Sequence, residues 1–185
     1  MLEDSYAHIK NMDINRITLR FSDKLKEKEF VKYYFQNSYK ATRTSFLLIF
    51  LLYSVFGYLD YITTSEYLNL FWGIRFFVVD PLLLSVFLLS FTRIFEKIWQ
   101  SLIFFTYLLA ALGIIIMMVI LPQDFIYSNG LLLIFFAGFV FIKLRFLLGT
   151  IAGLTSLALY NIIAIFYGNI DYNSLFINDF FFVSA

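Results

Sequence analysis

The sequence predicts an all-α protein: a polytopic transmembrane helix bundle with five complete spans and an incomplete sixth. Three observations predict it. Of 185 residues, 61% are apolar and 22% aromatic, and only 15% are charged. After Arg43 the charges sit between apolar runs about as long as a bilayer is thick. Those runs are apolar on every face rather than alternating, which excludes the strands of a membrane β-barrel. A soluble domain is roughly 45–50% apolar and about 25% charged. A chain of this size cannot hide 25 phenylalanines in water without exposing a large apolar surface.

Residues 1–43 form a polar N-terminal segment holding nine of the 14 basic residues. The apolar stretch arrives too late for a signal peptide and no small-residue cleavage site follows it. Between Ser22 and Arg43 there is neither Pro nor Gly, and Lys, Glu and aromatics dominate, so a helix leading into the bilayer is expected. Two readings of it stand side by side: a surface helix drawn to anionic lipid, or a solvated lead-in.

The transmembrane bundle is expected over 44–185. A helix rising 1.5 Å per residue needs about 20 apolar residues to cross roughly 30 Å of hydrocarbon. Spans are predicted at about 44–62, 68–91, 98–121, 125–142 and 146–170. A further apolar run, 174–185, would cover only about 18 Å and is expected to be an incomplete span. With the N-terminus cytoplasmic, the inner segments carry thirteen of the 14 basic residues. The outer loops carry only Glu66, Asp124 and Asp171. This is the positive-inside pattern of a multi-pass protein of the cell (inner) membrane, so the lipid bilayer is the first partner to expect.

Within the spans, polar residues are few. Counting helix rise places Asp60, Arg75 and Asn161 roughly 24–25 Å from the inner surface and Asp80 about 16 Å, with Asp179 near the outer end of the sixth run. A charge at mid-bilayer costs at least ~2.5–3.5 kcal/mol, so Arg75 is expected to meet a carboxylate from Asp60 or Asp179. Asp80 lies five residues along its own helix, an awkward offset that a kink at Pro81 would have to correct. In one reading these five residues line an outward-facing pocket for an unknown ion, proton or small ligand. In the other, Arg75 and Asp60 clamp the structure while Asp80 bonds backbone freed by Pro81. Gly149, Gly153 and Ser156 form a small-residue face suited to close helix packing. It would pack either on another helix of the chain or on a second copy in a homodimer.

Several function classes are excluded. The net charge of +1 does not suit a nucleic-acid binder. The absence of cysteine removes disulfides and thiolate chemistry. The one histidine, His8, rules out bis-histidine haem ligation in the membrane. There is no phosphate-binding glycine loop and no nucleophile beside a base, so the chain offers no catalytic residue, no metal site and no cofactor.

A set of short motifs recurs in a recognisable order. It runs Leu19-Arg20-Phe21, Glu29-Phe30, Arg43, Phe56-Gly57-Tyr58-Leu59-Asp60, then Trp72-Gly73-Ile74-Arg75-Phe76 followed by Pro81. It continues with Lys143-Leu144-Arg145-Phe146, Tyr160-Asn161 and Asn178-Asp179-Phe180-Phe181. This resembles the six-helix N-terminal membrane domain of bacterial class III adenylate/guanylate cyclases, from about Leu19 onward. The resemblance implies a membrane anchor and sensor passing a signal to a dimeric cytoplasmic cyclase domain. That domain's metal-binding aspartates and its Arg/Asn pair have no counterpart in this sequence and would lie beyond Ala185. The chain is therefore expected to be the non-catalytic sensor half of such a protein. The alternative is a small stand-alone integral membrane protein, a transporter or channel subunit using Asp80.

Overall fold

The computed structural model describes residues 14–15, 18–121, 143–167, 175–176 and 179–180. The chain divides into two compact units, Met1–Tyr39 and Lys40–Ala185.

In the first unit, Ile14 and Phe21 form an isolated antiparallel bridge. It is closed by Asn15 N–H donating to Arg20 O (2.9 Å) and Leu19 N–H donating to Asn15 O (2.8 Å). The Asn15 side chain also accepts from Thr18 N–H at 3.0 Å, and Leu19 takes the left-handed conformation (φ 50°) that this tight loop demands. Helix α1, Lys24–Thr63, begins next. Asp23 caps it by accepting the Leu25 N–H at 2.8 Å, as a short carboxylate does for the orphan donors of a first turn. Glu27 reaches back to accept the Phe21 N–H at 3.1 Å. Phe21 sets its ring edge-on to Phe30 at 5.5 Å. The helix expected over Ser22–Arg43 is present; it starts at Lys24 rather than Ser22 and runs unbroken to Thr63.

Among the described residues, the second unit holds the rest of α1 and three further long helices: α2 (Leu68–Leu89), α3 (Phe95–Ile120) and α4 (Phe146–Tyr167). All four helices are long and apolar enough to cross a membrane. Four of the predicted spans fall on them. The predicted span 125–142 lies outside the described residues, and of 174–185 only 175–176 and 179–180 are described.

Helix α2 is not regular. Its middle, Gly73–Val79, is a π-helical stretch, in which the Asp80 N–H donates five residues back to Arg75 O. Pro81, which has no N–H to continue an α-helical ladder, follows at once and opens the α-helical stretch Asp80–Leu89. The wide turn has a packing consequence. Phe71, Arg75, Val79 and Leu83 are all buried, three successive steps of four residues. Such a row drifts off one face of a helix with 3.6 residues per turn, and the wider turn takes up the drift. A π turn often marks a functional position, and nothing in the composition of 73–79 announces this one.

Helix α3 is the most deeply packed, buried along its length from Phe95 to Val119 and on nearly all sides from Ala110 onward. Helix α4 turns one narrow face inward: Gly149, Ala152, Ser156, Tyr160 and Ala164. Its entry is tied to α3 by the Gln100 amide, which donates to Lys143 O (3.2 Å) and accepts from Arg145 N–H (3.0 Å).

Candidate functional site

Helices α1 and α2 are joined at three levels. At the Arg43 end, the Arg43 guanidinium donates to the Ser90 hydroxyl (3.1 Å) and to Ser90 O (2.7 Å), and lies 3.9 Å above the Phe91 ring. Ser90 closes α2, so this cation satisfies a carbonyl at the negative end of the helix.

At the opposite end, Arg75 and Asp60 form a buried bidentate ion pair. Nε donates to Asp60 Oδ2 at 2.8 Å and Nη2 to Oδ1 at 3.0 Å. Only 3% of Arg75 and 1% of Asp60 remain exposed. Nη1 donates to Tyr53 O at 3.0 Å, Nη2 also points at Met117 Sδ of α3 (3.8 Å), and the guanidinium carbon lies 4.6 Å from the Tyr53 ring centre. Tyr53, Gly57 and Asp60 share one face of α1, four and three residues apart, which is why one arginine meets all of them. The close approach depends on Gly57: a Cβ there would lie 2.5 Å from Phe76 Cζ and 3.3 Å from Arg75 Cδ. Trp72 Nε1–H fills the notch by donating to Gly57 O at 2.9 Å.

Between these ends lies Asp80, 4% exposed. Its Oδ2 is 2.9 Å from the Ser54 hydroxyl, and its Oδ1 has no hydrogen-bond partner. The Asp80 carboxyl takes the Ser54 side chain of α1 rather than backbone freed by Pro81, and the donors of Arg75 go to Asp60, Tyr53 O and Met117.

Asn161 and Asp179 meet each other, the Asn161 amide donating to Asp179 Oδ1 at 2.9 Å. Asp179 is thus engaged with α4, and the carboxylate on Arg75 is that of Asp60. The five polar residues therefore divide into Asp60 with Arg75, Asp80 with Ser54, and Asn161 with Asp179. Of the small residues on α4, Gly149 and Ser156 are buried, whereas a Cβ on Gly153 would meet nothing within 4 Å. Gly153→Ala is expected to raise stability by up to about 1 kcal/mol through helix propensity alone, read as an increased melting temperature in detergent.

Sequence reasoning missed Ser54, Ser90 and Gly113. Ser54 sits within a turn of residues already singled out. Ser90 and Gly113 are distant in sequence, and only tertiary packing selects them. Among the described residues no group of three or more His, Cys, Asp or Glu is placed to hold a metal ion.

Apolar helices of this length, crossed by a buried ion pair, are the character of a multi-pass membrane protein. No protein-family model, curated protein or solved structure matches the chain.

Proposed function

We propose that this chain is the membrane anchor and sensor region of a bacterial signalling protein, non-catalytic itself, whose attached output is a class III adenylate or guanylate cyclase. In this reading the N-terminus is cytoplasmic, five spans and part of a sixth lie in the inner membrane, and the chain leaves span six toward the cytoplasm. The carrying observation is that residues of the ordered motif set find one another. Phe56–Asp60 and Trp72–Phe76 meet through Gly57, Trp72, Arg75 and Asp60, and Asn161 meets Asp179. Motifs kept in order along a chain and joined in space read as one device rather than as chance short matches. The positive-inside distribution supports the orientation.

The test is the reading frame that follows Ala185, together with cyclic nucleotide production. A cyclase domain in frame, and no cyclic AMP or cyclic GMP from the chain expressed alone, is the expected result. An unrelated gene downstream, or activity from the chain alone, overturns it. The orphaned Asp80 Oδ1 favours one competing reading, a small transporter or channel subunit. Liposome flux that disappears in Asp80→Asn would establish that reading instead.

A further inference from the structure

We propose that Asp80 is a proton-binding site: its carboxyl group is held protonated within the bundle and donates the hydrogen bond to Ser54. A serine hydroxyl carries one hydrogen, yet Ser54 Oγ lies 2.9 Å from Phe50 O and 2.9 Å from Asp80 Oδ2. Phe50 O has no hydrogen to offer, so the single Ser54 hydrogen is either divided between Phe50 O and Asp80 or given wholly to Phe50 O. Only the second arrangement gives each contact a hydrogen of its own, and there the other hydrogen comes from Asp80. With Asp80 as a carboxylate the Ser54 hydrogen is drawn toward the charge, and the contact to Phe50 O is left weak or without a hydrogen. The buried negative charge would then rest on one neutral hydrogen bond, with Oδ1 bare, an arrangement that an apolar interior strongly disfavours.

The surrounding charges do not offer a substitute for the proton. On α2 the nearest cation is Arg75, whose donors are on Asp60, Tyr53 O and Met117. On α1 the facing groups are Ser54 and the neutral Tyr53 phenol, whose hydroxyl also has no hydrogen-bond partner, with Asp60 already paired. Helix α3 has no charged residue from 98 to 120. A hard metal ion in place of the proton would need about six oxygen ligands. Asp80, Ser54 and Tyr53 bring too few side-chain oxygens, and those of Ser54 and one of Asp80 are already engaged. A proton needs only the one acceptor that Ser54 supplies.

The inference deepens the sensor reading and rests on it for the consequence, that the buried site couples proton binding to the α1–α2 pair, but not for the protonation itself. The experiment is infrared spectroscopy of the full chain in detergent at neutral pH, comparing the unmodified protein, Asp80→Asn and Ser54→Ala. Asp80→Asn keeps a donor of the same shape and is expected to fold. The expected result is a protonated-carboxyl C=O stretch that is lost in Asp80→Asn, shifted in Ser54→Ala, and unchanged when sodium chloride replaces choline chloride. A difference spectrum containing only carboxylate bands overturns the proposal. So does a band abolished by sodium, which would make a metal cation the occupant. Should Asp80→Asn fail to fold, an unshifted band in Ser54→Ala overturns it. Because the band is read without an output domain, its failure is separate from failure of the cyclase assay.

Discussion

Arg75→Met is expected to destabilise the chain by about 3–5 kcal/mol, the usual cost of removing one partner from a buried ion pair. The loss comes less from the missing attraction than from what remains. Asp60, at 1% exposure, would lose both of its guanidinium contacts and be left as a buried carboxyl group whose desolvation nothing from Arg75 offsets. Replacing both partners with apolar residues of similar volume, Arg75→Met with Asp60→Leu, removes that orphan and is expected to restore most of the stability. Thermal unfolding in detergent of the two single variants and the double variant checks this. A double variant as unstable as the sum of the singles would show that the pair is not the unit of energy here.

Gly113→Val is expected to cost about 1–3 kcal/mol or more, the range for forcing methyl groups into a filled core. A Cβ at Gly113 already approaches Ile74 Cγ2 at 3.1 Å, and both Tyr53 Oη and Val79 Cγ2 at 3.3 Å. These atoms come from α1 and from the π-helical stretch of α2, so the added methyl groups press on both helices at once. Tyr53 also supplies the carbonyl and the ring that contact Arg75, and its displacement should loosen the ion pair as well. Measured in the same way, the valine at Gly113 should lower the melting temperature well beyond Gly153→Val, whose Cβ meets open space.

The two glycines show how far local pattern carries. Gly149 and Gly153 stand at a spacing known for helix association, but residues four apart share a face only approximately, and Gly153 falls at its open edge. Gly113 has no such motif around it. It matters because α3 passes between two other helices, a circumstance that no single-helix pattern encodes. Asp80 makes the same point from the other side. Its rarity and depth mark it out in the sequence, but its partner depends on the π turn before Pro81. A proline announces a missing donor; it does not say whether the helix kinks, ends or widens.

The amino-acid sequence by itself determined that the chain carries helices apolar enough for lipid, where α2, α3 and α4 fall to within a few residues, and that Arg75 must meet a carboxylate. Those follow from transfer energetics and helix rise, which act residue by residue along one chain. Tertiary structure alone decided which carboxylate Arg75 takes, that Ser54 answers Asp80, that Arg43 closes the far end of α2, and which glycine separates the helices. Each of these depends on the rotation of one helix about its axis relative to another. A row of uniformly apolar residues leaves that rotation undetermined until the few polar and small side chains have found their partners.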